Sequence, residues 1–324
     1  MKNVSVFSPA SIANLAVGFD VLGLSFDGLG DVVTASLDSG ASDSQESVTI
    51  SEIVWRKGLG IDDLSFDIPL STRNNCASVV AEAILKDYDI TQKLQLRIEK
   101  GIPLGSGMGG SAASSVAAAM SVSELFGLNL SREEIVKYAI LGEVLATGAA
   151  HPDNVVPSCY GGITISSQLA EGSLKTIQLP LWDDLYVILY YPNLVLNTKD
   201  SRSVLNSHVS LSDMVKQNSL LGMFISSIFL KDKNLLSYSL KDIIVEPQRK
   251  HLIPGFDALQ NCSLDNGALG CSISGSGPTL FSIAPDHETA NSISKAMKNM
   301  GLRIHGDGVK TFISNLNSRG ARIV

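Results

Sequence analysis

The chain has 324 residues and 28 glycines, a net charge of −7, 44% hydrophobic and 18% charged residues. That is enough apolar material for one large core or two smaller ones. No Lys/Arg-rich block points to nucleic acid, and the longest apolar stretch is too short to span a membrane. The four cysteines, Cys76, Cys159, Cys262 and Cys271, form no C-x-x-C pair and read as reduced thiols of a cytosolic protein. The first residues, MKNVSVFSPAS, lack the apolar run of a signal peptide.

In chain order, VSVF and DVVTASL read as strands. DSGASDSQES (Asp38 to Ser47) is small and polar, a surface loop leading to the strand SVTISEIVW. NNCASVVAEAILKDY has helical apolar spacing with Asn74 or Asn75 as N-cap. KLQLRIEKGIP alternates as a half-buried strand and runs into a glycine-rich loop. Two helices follow: Ala-rich SAASSVAAAMSVSELFG, then SREEIVKYAILGEVLA with a capping box of Ser131 and Glu134. GGITISS is a strand. A second half begins between Gln168 and Leu181. There DLYVILYYP is a strand and LSDMVKQNSLLGMFISSIFLKD a long helix, whose LLGMFISSIFL portion reads as buried. ALGCSISGSGPTLFSIA is two strands around a glycine turn. ETANSISKAMKNMG is a helix stopped by Gly301, and VKTFISNL is a last strand. Strands and helices mix in both halves, which argues α+β over a regular βαβ repeat.

The loop PLGSGMGGSAASS lies between a strand and a helix, where glycines allow close backbone approach and free helix N–H groups attract anions. It is not G-x-x-x-x-G-K-[ST], so a Walker loop is excluded. Gly105, Gly107 and Gly110 satisfy G-x-G-x-x-G, but the match lies about a hundred residues into the chain, with no acidic strand after it. A plain glycine turn before a core helix stays open on local grounds.

Three ordered segments carry a resemblance. PLGSGMGGSAASS resembles the phosphate loop of the GHMP kinases, SPASIANLAVGFDVLG (Ser8 to Gly23) their N-terminal motif, and SISGSGPTLFSI (Ser272 to Ile283) their C-terminal glycine motif. Asn14, Gly18, Phe19, Asp20 and Gly23, with HPDNVVPSCYGG and EPQRKHLIPGF, are similar to the homoserine kinase branch. The resemblance implies an α+β, two-domain GHMP kinase fold. Residues 1–168 would form an N-terminal ATP-binding domain like ribosomal protein S5 domain 2, with a left-handed βαβ crossover. Residues 169–324 would form a ferredoxin-like C-terminal domain whose final strand is able to return to the first. It implies transfer from MgATP to the hydroxyl of L-homoserine, in threonine biosynthesis, by a cytoplasmic homodimer without nucleic-acid or membrane partners. A mevalonate-type kinase and a non-catalytic ligand-binding relative are the rival readings.

The same resemblance implies roles. Pro103, Leu104, Gly105, Ser106, Gly107 and Met108 would hold ATP together with Gly109, Gly110, Ser111, Ala112, Ala113 and Asn75. Ser8 and Pro9 would help shape that pocket. Ser111 and Glu143 would hold Mg²⁺ and act in catalysis. Where the family commonly has a pair of serines, this chain has Gly110 and Ser111. Asn14 and Asp20 would receive the substrate ammonium, and Arg202 and Arg249 its carboxylate. Asn154 would face the hydroxyl, beside His151 and Asp153, with no strong general base. Ser274 and Gly275 would border the substrate without a direct catalytic role.

Overall fold

The computed structural model describes residues 3–37, 46–56, 68, 70–168, 174–180, 182–316 and 318–324. The loop expected at 38–47 lies outside the described residues up to 45.

The first half is built on β1 (Asn3–Ala13) and β2 (Leu22–Leu37), an antiparallel pair whose register slips between Pro9 and Ala10. β1 is longer than VSVF. It runs through the polar-looking SPASIA because that segment's serines find partners: the Ser8 and Ser158 hydroxyls meet at 2.9 Å, and Ser11 Oγ donates to Asn154 Oδ1 at 2.8 Å. β3 (Val48–Trp55) is followed by α1 (Cys76–Asp87), whose N-cap Asn75 accepts from the Ala77 N–H at 3.0 Å. β4 (Leu94–Lys100) lies parallel to β3 and antiparallel to β2. Next come α2 (Gly110–Phe126) and α3 (Arg132–Thr147), the latter with its Ser131–Glu134 capping box. α4 (Pro152–Tyr160), where the sequence pattern assigns no element, starts at Pro152 and holds Pro157 inside it. β5 (Ile163–Gln168) and β6 (Leu174–Gln178) extend the sheet, so it continues past residue 168.

The second half holds β7 (Tyr186–Tyr191), α5 (Thr198–Ser203), α6 (Leu211–Leu230), α7 (Lys233–Ser239), α8 (Glu246–Arg249) and α9 (Phe256–Asp265). It ends with β8 (Gly270–Ile273), β9 (Leu280–Ala284), α10 (His287–His305), β10 (Lys310–Asn315) and β11 (Arg322–Ile323). Four antiparallel strands in the order β10-β7-β9-β8 make its sheet. The first sheet runs β11-β1-β2-β4-β3, with β5 beside β2 and β6 beside β5, so the chain's last strand returns to the first half. A single apolar core joins the sheets, where Leu22, Leu24 and Phe26 meet Val187, Leu189 and Phe281. The alanines of α2 let it lie close on the first sheet, with Ala112, Ala113 and Ala117 fully buried.

Two expectations are corrected. LLGMFISSIFL is not a buried helix throughout: Phe224 and Ile228 are buried, but Phe229 and Leu230 are 61% and 70% exposed. α10 does not stop at Gly301 but continues to His305 before Gly306. Gly301 is there for space, because a Cβ would lie 2.1 Å from the Tyr190 hydroxyl. All four cysteines are free, with Cys159 and Cys271 buried and Cys76 and Cys262 partly exposed. No helix among the described residues is long and apolar enough to cross a membrane.

Candidate active site

The glycine loop joins the end of β4 to the first turn of α2, whose leading N–H groups have no partner within the helix. Two of its glycines are dictated by close approach as well as by positive φ. A Cβ on Gly107 (φ +76) would lie 2.6 Å from the carbonyl oxygens of Ser274 and Gly277, and one on Gly109 (φ +68) 2.0 Å from Ser11 Oγ. Gly110 has no such need, since a Cβ there would be 3.4 Å from Ile102 and 3.7 Å from Lys100 Nζ. The second half grips the loop from behind. Ser274 Oγ donates to the Gly107 carbonyl at 2.7 Å, and the Thr279 and Leu196 N–H groups donate to the Ser106 and Gly105 carbonyls at 3.2 and 3.1 Å. Met108 turns its fully buried side chain into the shared core. The loop borders a cavity of about 490 Å³ that also touches Asn75, Glu143, Asn154, Asp20, Arg202 and Arg249.

Glu143, on α3, is 5% exposed, and its Oε2 accepts from Ser111 Oγ at 2.7 Å. Burial pushes its carboxyl up to about 7, against the pull of the Ser111 hydrogen bond. A surface glutamate would behave otherwise. The Glu143 carboxylate and the Ser111 hydroxyl are oxygen donors of the kind a hard cation such as Mg²⁺ takes beside phosphate oxygens. Among the described residues no group of three or more His, Cys, Asp or Glu is placed to hold a metal unaided.

The other end of the cavity is charged. Arg202 Nη2 donates to both oxygens of Asp20, at 2.7 and 2.9 Å. His151 Nδ1 is 3.7 Å from Asp20 Oδ2. Asn14 uses Oδ1 to accept from the Asp20 N–H at 3.0 Å and Nδ2 to donate to the Gly275 carbonyl at 3.1 Å. Arg249, 3% exposed, donates to the same Gly275 carbonyl at 3.1 Å and to the Ser201 carbonyl at 2.9 Å. Both guanidinium carbons lie 5.3 Å from the Phe19 ring centroid. Burial, seconded by Arg202, lowers the pKa of Arg249; burial likewise lowers that of His151, Asp20 opposing it and the two arginines adding to it.

Between the two ends stand Asp153 and Asn154, at the start of α4. Asp153 is fully buried, and burial, then the charges of Asp20 and Glu143, push it up to about 8. At neutrality the protonated form therefore predominates. The hydroxyl of Ser11, itself fully buried, holds Asn154 Oδ1 at 2.8 Å, leaving the amide nitrogen for a ligand.

The structure places most of the expected residues around one cavity, but Met108, Ala112, Ala113 and Ser274 are fully buried and, with Ser8 and Pro9, do not line it. It adds residues that sequence reasoning did not single out. Ser11 was hidden inside a quoted motif. Lys100 closes the alternation Leu94, Leu96, Ile98, Lys100 on the inward face of β4, a signal present in the sequence. Its ammonium lies under the loop, paired with buried Asp31.

Comparisons with known proteins give the family of the chain. The GHMP kinases N terminal domain matches residues 75–162, and the GHMP kinases C terminal domain matches residues 228–302. The chain is 36% identical over 336 residues to the homoserine kinase of Chlorobaculum tepidum, covering 100% of this chain and 99% of that one. It is 34% identical over 320 residues to the homoserine kinase of Xylella fastidiosa, covering 98% and 93%. Its fold is similar to the crystal structure of homoserine kinase from Cytophaga hutchinsonii, with TM-score 0.89 and 36% identity over 100% of this chain and 98% of that one.

Proposed function

Because the chain belongs to the homoserine kinase family of the GHMP kinases, we propose that it transfers the γ-phosphoryl group of ATP to the side-chain hydroxyl of L-homoserine. The observation that carries this reading is the sorting of charge in one cavity. An anion-binding helix end stands at one side, and one carboxylate, Asp20, faces two guanidiniums at the other. A mevalonate-type substrate has no ammonium to compete with Arg202 for the Asp20 carboxylate. The N-terminal half, to about residue 168, supplies the nucleotide side, and the C-terminal half supplies the arginines. The homodimer and cytoplasmic setting implied by the resemblance belong to the same reading.

Asp20 and Asn14 receive the substrate ammonium. Arg202 and Arg249 receive the carboxylate, in the bidentate geometry guanidinium favours. The Phe19 ring keeps both guanidiniums at the same plate. The substrate side chain then extends toward Asn154, whose Nδ2 donates to the hydroxyl oxygen and aims a lone pair at phosphorus. Residues Pro103 to Ala113 hold the phosphates through backbone N–H groups and the helix dipole. Ser111 and Glu143 would hold Mg²⁺, which when bound neutralises phosphate charge. The new O–P bond forms as the bond to the ADP oxygen breaks. The hydroxyl proton passes to a phosphoryl oxygen, which the loose transition state of such transfers permits without a strong base.

Arg202→Ala should raise the KM for homoserine by about a hundredfold, the ~2–3 kcal/mol of a hydrogen bond to a charged group. The KM for ATP should stay within about threefold. Equal rises in both would count against the assignment.

A further inference from the structure

The phosphate loop has no lysine, but one lies beneath it. Lys100 is 5% exposed and ends the strand that leads into the loop. Its ammonium has three N–H donors and three acceptors: the Asp31 carboxylate, the Gly110 carbonyl at 3.1 Å and Ser114 Oγ at 2.9 Å. Asp31 is wholly buried and also takes the Ser114 hydroxyl at 2.6 Å and the Gly101 N–H at 2.9 Å. All three ammonium hydrogens are engaged inside the protein, where Lys100 and Ser114 also border the cavity.

The arrangement is costly on ordinary grounds. A cation beside a helix N-terminus opposes the helix dipole. A buried ion pair is seldom more stabilising than well-packed apolar residues. Its position suggests a task at the loop. A trans peptide points its C=O and its N–H in opposite directions. Holding the Gly110 carbonyl down on Lys100 therefore turns the Ser111 N–H up, toward the cavity. The Ser114 contact fixes the next turn of α2, and the Gly101 contact fixes the chain entering the loop.

We propose that the buried Asp31–Lys100–Ser114 cluster, two of whose members also line the cavity floor, is a positioning device for phosphate: it sets the direction of the leading N–H groups of α2. The proposal rests on the reading of this loop as the ATP phosphate site and adds what aligns it.

The test uses the full-length protein with two variants. Asp31→Asn/Lys100→Met removes both charges together, so neither is stranded in the core. Ser114→Ala removes one small partner. ATP affinity is read by calorimetry, folding by thermal melting, and the KM for homoserine by turnover. The double variant should bind ATP at least tenfold more weakly, Ser114→Ala about threefold, with melting near the parent's and the homoserine KM within threefold. ATP affinity within twofold of the parent in folded variants would overturn the proposal, as would equal weakening of ATP and homoserine. If the double variant does not fold, Ser114→Ala decides alone by the same thresholds. A parent protein that binds no ATP would overturn the phosphate-site reading itself, and this proposal with it.

Discussion

Replacing Asp153 by asparagine should leave phosphoryl transfer in place and flatten the protein's loss of stability toward alkaline pH. Its carboxyl is raised from 3.8 to about 8, by burial first and then by the charges of Asp20 and Glu143, with Arg202 pulling the other way. In the unfolded chain the group ionises near pH 4; in the fold it keeps its proton to about 8. Between those values the folded protein holds a proton the unfolded chain has lost, so stability falls as pH rises. The contribution is whole below about pH 4 and gone above about pH 8. Each pH unit in the window is worth about 1.4 kcal/mol, so pH 5 to pH 8 removes about 4 kcal/mol at most. Asparagine titrates nowhere in this range.

Urea unfolding of both proteins at several pH values across that window measures the difference. The parent's advantage over Asp153→Asn should shrink between the two ends, by up to about 4 kcal/mol. Parallel curves would mean that the carboxyl is ionised in the fold, and the argument would fail. The kinetic arm is independent. A carboxyl raised to about 8 is mostly protonated at pH 7, and the proposed route passes the hydroxyl proton to a phosphoryl oxygen, so kcat should stay within about tenfold of the parent. A fall of three orders of magnitude with homoserine KM unchanged would make Asp153 the general base and refute the reasoning.

Ser11→Ala releases the Asn154 amide from its 2.8 Å hydrogen bond. It should lower kcat by about tenfold through lost orientation, with homoserine KM within twofold and partial rescue by Ser11→Thr; unaltered kcat would contradict this. Gly301→Ala places a methyl 2.1 Å from the Tyr190 hydroxyl, which is hydrogen-bonded to His305 at 2.8 Å. It should destabilise by about 1–3 kcal/mol in thermal melts even though alanine is the better helix former; a stabilised variant would contradict the packing argument.

Much of this was legible in the residues. The order of strands and helices followed from apolar periodicity, and the glycine loop from its placement between β4 and α2. What escaped shares a physical cause: a partner distant in sequence decides the local outcome. Gly301 looks like a helix stop until Tyr190 is seen against it. The serines of SPASIA look unsuited to a buried strand until α4 supplies acceptors 143 and 150 residues away. α6 has the composition of a core helix, but only Phe224, Ser227 and Ile228 along it are buried. The charges of the site could be nominated singly from motif context. Their pairing could not, because the 182 residues separating Asp20 from Arg202 leave no local trace of the contact. Lys100 is the instructive omission. Its inward register on β4 was readable, and a lysine at an inward position needs a buried partner, here Asp31, 69 residues back.

The most direct test of the central claim is a coupled ADP-release assay with MgATP, offering L-homoserine, mevalonate, galactose and shikimate as acceptors in turn. Turnover should appear with L-homoserine alone, because only that acceptor presents both the ammonium that Asp20 suits and the carboxylate that Arg202 and Arg249 suit. Turnover with another of the four, or measurable ATP binding with turnover of none, would contradict the account.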